Sequence, residues 1–185
     1  FLFIRFLMIA AFAFAVLTVQ SFQRGFRTMW HIERRDLPRF IAAGILAYTL
    51  YQLGFTVGLD KTSTFASSVL ISSSSLFAFI IATILGERHP RAAWIGMFIA
   101  MAGVMIFLFD SGTGGSSLTG NLISVGAAMA MATFWIVSRP LVRAYPPATV
   151  SAFTTLFGMI PLLVVGWSDT RAQDWDAVTT YHWLM

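Results

Sequence analysis

Tyr48, Gln52 and Thr56 recur at every fourth residue, with Tyr51 beside them, and form the clearest polar constellation in the chain. On a helix that spacing puts the three on one face. A phenol, an amide and a hydroxyl can each donate and accept hydrogen bonds, so the group suits a cavity wall that positions a small solute. Interhelical hydrogen bonding is the plainer role, yet three large polar side chains exceed what packing needs. Arg5 is the second candidate. It interrupts an apolar run, where a charge costs on the order of 2.5–3.5 kcal/mol on insertion scales. Either it snorkels to a nearby interface, or it lines a water-filled cavity and attracts an anionic, carboxylate-bearing solute. Ser68, Ser72 and Ser75 share a face in a serine-rich run. Small hydroxyl residues let helices approach closely and can bond back to their own backbone. Packing is their first role, and a cavity shared with Tyr48 and Gln52 the second. Trp135 divides in the same way between an interfacial anchor and a cavity wall.

The groups that catalysis would need are absent from the apolar runs. Asp60, Glu87 and Asp110 lie at their ends, and His31, His89 and His182 are scattered between them. The sequence has no HExxH pair, aspartate dyad or Ser–His arrangement at one depth. It has no cysteine, hence no thiolate site or disulfide framework. The expectation is a non-enzymatic protein with no metal site and no cofactor.

The elements that must position these residues are long and apolar. Hydrophobic residues make up 57% of the chain and charged residues 11%; the mean hydropathy is +0.76. A soluble domain needs far more polar surface. Crossing the hydrocarbon core takes roughly 20 apolar residues as a helix. Candidate spans cover 1–20, 40–59, 63–85, 92–109, 118–138 and 150–167. No segment alternates with period two as a barrel strand would. The fold class expected is all-α, a polytopic transmembrane helical bundle of about six spans.

Arginines orient the bundle. Loops after the first, third and fifth spans carry Arg24, Arg27, Arg34, Arg35, Arg39, Arg88, Arg91, Arg139 and Arg143, whereas the alternate loops carry Lys61 and Arg171. Positive residues stay cytoplasmic, so the first span runs from outside to inside. The pI near 10.1 then follows from topology, and nucleic acid is not an expected partner. Trp30, Trp94, Tyr145, Trp167 and Trp175 fall near span ends, where amphipathic rings anchor at the headgroups. Gly96, Ala100 and Gly103 have small-residue spacing for close helix packing, and Pro161 should kink the sixth span. Residues 111–117 form a Gly/Ser linker with no phosphate-loop ending. Short turns predict that the second, third and fourth spans are antiparallel neighbours.

Leu85-Gly86-Glu87-Arg88, followed by Ala93-Trp94-Ile95-Gly96 and Ala102-Gly103-Val104, resembles the EamA-type repeat of the drug/metabolite transporter superfamily. Gly58-Leu59 with Thr62, Thr64 and Ala66-Ser67-Ser68 resembles the preceding helix junction, and Arg5-Phe6 with downstream alanines resembles that repeat's second helix. Gly120-Asn121-Leu122, Ala127-Ala128, Trp135 and Arg139 look like the opening of a second repeat. The resemblance implies a ten-helix transporter of two inverted five-helix repeats. Residues 1–110 would be the first repeat without its first helix, 111–117 an outer linker, and 118–185 the truncated start of the second. An opening Phe1 and an apolar run at the close fit a segment of a longer chain. The resemblance implies export of small organic solutes by alternating access, with Arg5, the Tyr48–Gln52 stripe, the serines and Trp135 along the pathway. Glu87, with Gly96 and Gly103, belongs to the structural motif, and Glu87 should bond backbone or a nearby arginine. Expected partners are the lipid bilayer and a small-molecule solute, with homo-oligomerisation left open; a bacterial inner (plasma) membrane is the expected location. The rival readings are a membrane enzyme whose catalytic groups lie elsewhere and a non-transporting interaction subunit.

Overall fold

In lipid a backbone must satisfy its own hydrogen bonds, and a helix does so within one segment. The computed structural model describes residues 2–109 and 117–172, and every apolar run among them is helical. Helix α1 covers Leu2–Arg24, and a short helix, α2, covers Phe26–Trp30. Helix α3 covers Leu37–Lys61, α4 Thr64–Ile84 and α5 Arg91–Phe109. Helix α6 covers Leu118–Ala144 and α7 Pro147–Ala172. Among the described residues, α1, α3, α4, α6 and α7 each hold at least 18 residues apolar enough to cross a membrane, and α5 holds a shorter apolar stretch, Arg91–Ile106. The expected polytopic bundle is therefore present. Of the expected 111–117 linker only Ser117 is described; Trp175 and the closing apolar run lie outside the described residues.

Local chemistry sets the helix ends. Ser63 and Ser117 cap α4 and α6 by accepting the amides of Ala66 and Gly120 at 3.2 and 3.1 Å. Pro38 stands in the first turn of α3, where its missing N–H costs nothing. Gly86 reverses the chain after α4 with φ +92°, a conformation that a Cβ disfavours. Helix α3 is continuous but not uniform, because Ile45–Leu50 forms a π-helical segment. Helix α4 breaks at Ser73, between Thr64–Ser72 and Ser74–Ile84.

Helix α3 lies between α7 and α6, and its partner changes along its length. Before the π segment ends it meets α7 at Gly44 and Tyr48; beyond it, Gly54 and Gly58 face Ala127 and Ser124 of α6. Helix α1 packs on α7 and α4 packs on α6, while α5 is held only lightly. The predicted neighbours α3, α4 and α5 do adjoin through their turns, but the broad contacts of α3 and α4 are with α6 and α7. Short turns bring helix ends together; the small-residue faces decide which long surfaces close.

The burial pattern is that of a lipid-solvated protein. Phe12, Phe22, Phe65, Ile84, Ile106 and Val164 are all more than 70% exposed, whereas Ser67, Ser124, Asn121, Thr149 and Thr155 are almost completely buried. Water would punish so much exposed apolar surface; lipid does not. The chain is an integral membrane protein.

The arginine-bearing loops meet at one end of the bundle. Tyr145 donates to Asp36 Oδ2 at 2.9 Å and accepts the Glu33 amide at 3.2 Å, and Arg139 pairs with Glu87. At the other end Ser117 donates to the Lys61 carbonyl at 2.6 Å and Thr62 to Asn121 Oδ1 at 2.7 Å. Both ends thus tie segments before the linker to α6 or the turn that follows it.

Candidate functional site

The first residue of the polar stripe of α3, Tyr48, lies where α1, α3 and α7 converge. Phe6 and Ala10 of α1 pack with Met159 and Leu162 of α7 in a small apolar cluster, and Tyr48 and Leu53 of α3 close its side. The Tyr48 ring meets Phe6 edge-on at 6.0 Å, and its hydroxyl is hydrogen-bonded to that of Thr155 at 2.9 Å. Its neighbour Thr49 donates to the Gly158 carbonyl at 2.8 Å. This bond is three residues before Pro161, which lacks the amide needed to continue the α7 ladder. Close approach makes these contacts: a Cβ built on Gly158 would stand 2.2 Å from the Gly44 carbonyl oxygen and 2.6 Å from Tyr48 Cβ.

Gln52 is 5% exposed as a residue and makes no side-chain hydrogen bond to the described residues. Its amide offers two donors and an acceptor that a polar solute could engage. Thr56 is half-buried, and Tyr51 is half-buried with its ring stacked on Phe55 at 6.1 Å. Arg5 is exposed on α1 with its guanidinium 5.4 Å from the Phe6 ring centroid, a cation–π distance. Arg5, Phe6, Tyr48 and Thr155 thus form a connected set that bridges three helices.

Other predicted residues lie elsewhere. Ser68, Ser72 and Ser75 do share a face of α4, and that face is exposed; their hydroxyls bond back to the carbonyls of Thr64, Ser68 and Ser72. The serine that seals the α4–α6 contact is Ser67, 3.2 Å from Ser124, both fully buried. Trp135 is 38% exposed on α6. Gly96 and Gly103 of α5 have no described atom within 4 Å of a built Cβ. Glu87 forms the expected pair with an arginine, Arg139. Thr49, Thr155 and Gly158 were not singled out from sequence. Thr154-Thr155, Gly158 and Pro161 within one span are the signal that could have marked them. No group of three His, Cys, Asp or Glu able to hold a metal comes together among the described residues. The site offers hydroxyl, amide and guanidinium groups: means to hold and orient a polar solute, with no acid–base pair to transform one.

The sequence profile of the EamA-like transporter family matches residues 1–109, from α1 to the end of α5. The chain belongs to the EamA-like transporter family. That membership accounts for the Leu85–Arg88 turn and the α5 residues that follow it. Among EamA-like relatives, an uncharacterized transporter of Bacillus subtilis is 24% identical over 133 residues, covering 71% of this chain and 44% of the relative. An uncharacterized transporter of Archaeoglobus fulgidus is 30% identical over 132 residues, 71% of this chain and 47% of the relative. A Streptantibioticus cattleyicolor protein named "Probable terminal-alkyne amino-acid exporter" is 25% identical over 130 residues, 70% of this chain and 43% of the relative. The chain spans about half the length of the curated relatives it matches. No solved structure matches it significantly.

Proposed function

We propose that the protein is a transporter that exports small organic solutes across a bacterial inner membrane by alternating access, and that it carries no catalytic activity of its own. Its EamA-like membership supports the transport reading, and the exporter among its relatives supports the direction and makes amino acids the first solutes to test. The observation that carries the site is the polar group between α1, α3 and α7: Tyr48 bonded to Thr155, with Arg5 over the Phe6 ring that meets Tyr48, and Gln52 one turn further along α3. Polar groups within spanning helices are retained for a pathway more readily than for packing. Tyr51 and Thr56 lie on the same helix as Tyr48, whereas the exposed Ser68, Ser72 and Ser75 of α4 and Trp135 of α6 lie elsewhere. On this reading residues 1–110 are the first repeat without its first helix, 111–117 the outer linker and 118–185 the truncated start of the second repeat, in inverted orientation.

The test is solute efflux from vesicles containing the intact protein, with Arg5→Ala and Gln52→Ala variants. Wild-type protein should move at least one amino acid or related solute, and both variants should reduce that flux by about tenfold, as loss of a charge-assisted or buried hydrogen bond to the solute implies. Unchanged flux in both variants across a broad panel would overturn the site. Absence of flux for every solute would overturn the transport reading.

A further inference from the structure

At the arginine-rich end, a groove of about 560 Å³ opens between the beginning of α3 and the end of α6, lined by Arg35, Asp36, Pro38, Arg39, Pro140 and Ala144. Its charges are unevenly used. Asp36 is buried, and its carboxylate is occupied by Arg39 Nη1 at 3.0 Å on one oxygen and by the Tyr145 phenol at 2.9 Å on the other. Arg35 Nε lies 2.6 Å from Glu33 and 3.9 Å from Asp36, and the Arg35 side chain is otherwise exposed. Arg34 and Arg143, adjacent in sequence to the lining residues, are exposed and form no ion pair among the described residues. The region keeps a surplus of positive charge after its carboxylates are satisfied.

The geometry favours one kind of anion. A guanidinium fork matches two oxygens of a phosphate, and the groove floor of proline rings and an alanine methyl is apolar. Arginine distribution places this end at the cytoplasmic headgroup level. Leu37 and Ile41, one turn apart on α3, and Val142 on α6 are exposed apolar side chains beside it. A soluble phosphate would have no use for them; acyl chains would. Basic pockets between spanning helices on the cytoplasmic side are suited to anionic headgroups.

We infer that this groove binds the phosphodiester headgroup of an anionic phospholipid, with Arg35 and Arg39 on the phosphate and the acyl chains descending along Leu37 and Ile41. The lipid then joins the α3 entry to the α6 exit, on the same end as the Asp36–Tyr145 contact. The inference is independent of any solute pathway past Tyr48.

Native mass spectrometry of the intact protein, released from micelles doped with phosphatidylglycerol or phosphatidylcholine, tests it. Phosphatidylglycerol should be retained in preference. Arg35→Gln should weaken that retention about fivefold, the effect of one arginine near an anionic surface. Arg35 is 78% exposed, so this change leaves the core intact. Arg35→Lys, which keeps the charge and loses the fork, should fall between the two. Arg91→Gln, on the same side at the start of α5, should retain lipid like wild type. Equal retention of the two lipids, no loss in Arg35→Gln, or the same loss in Arg91→Gln would overturn the assignment. So would displacement of phosphatidylglycerol by inorganic phosphate, which would assign the groove to a soluble anion.

Discussion

Replacing Gly158 by alanine attacks the crossing of α3 and α7 at its closest point. The added methyl would stand 2.2 Å from the Gly44 oxygen, 2.6 Å from Tyr48 Cβ and 2.7 Å from the Gly44 carbonyl carbon. Ordinary contact begins near 3.4 Å, so the two backbones must part locally by about 1.2 Å. None of these atoms is the free end of a flexible side chain, so rotamer change gives no relief. Overpacking of this kind costs about 1–3 kcal/mol. Parting the helices also stretches the Thr49–Gly158 and Tyr48–Thr155 hydrogen bonds, at 2.8 and 2.9 Å, each worth about 0.6 kcal/mol in a membrane protein. Alanine returns about 0.8–1 kcal/mol of helix propensity. The net expectation is a loss of about 1–3 kcal/mol. Denaturant unfolding of the intact protein in mild detergent measures it. Gly126→Ala on α6, where no described atom lies within 4 Å of the new methyl, should stay within about 0.5 kcal/mol of wild type or gain stability. A Gly158→Ala protein as stable as wild type would refute the close crossing, and an equal loss at Gly126 would show that the effect is not specific to it.

Two further outcomes follow from the clasps at the bundle ends. A double-mutant cycle of Thr62→Val and Asn121→Ala should show a favourable coupling of about 0.6–1.7 kcal/mol in unfolding, because their 2.7 Å bond is buried; additive losses would mean that the two side chains do not interact. At the arginine-rich end, burial first raises the pKa of Tyr145; the Glu33 amide that bonds its oxygen lowers it, and the neighbouring Asp36 carboxylate raises it again. Only the neutral phenol donates to Asp36, so its contribution is complete below the ordinary phenol value of about 10 and is lost as pH rises through the raised folded value. The Tm gap between wild type and Tyr145→Phe should therefore be constant at neutral pH and narrow only above about pH 10. A gap that closes in the neutral range would remove the phenol from the clasp.

The spans were legible from hydropathy, since lipid solvation constrains every residue of a spanning helix at once. The pairing of Glu87 with an arginine was legible from its position at a basic turn. Which face of a helix turns inward was not. Ser68, Ser72 and Ser75 have the spacing of a face, yet Ser67 is the residue sealed against Ser124, because the small side chains of α6 choose the contact. Gly96 and Gly103 have the spacing of a packing motif, whereas the glycines under close approach are Gly44, Gly54, Gly58, Gly120 and Gly158. Spacing states that a close approach is permitted; only the partner helix determines where one occurs. The Tyr48–Gln52–Thr56 stripe assumed an unbroken α-helical period, which the π segment at Ile45–Leu50 interrupts.

That segment makes the two halves of α3 separate rotational registers. A π turn holds more residues than the 3.6 of an α turn, so it phases Gly44 and Tyr48 toward α7 while Gly54 and Gly58 face α6. Were these six residues wound as an ordinary α-helix, the outer half would swing by about 100° relative to the inner. Gly58 would leave Ser124 and Gly54 would leave Ala127, with every side chain still present and still apolar or polar as before. The π turn thus absorbs one residue that an α-helix of the same phase could not hold, and an indel scan across these six residues should find a single deletion tolerated where a single insertion is not.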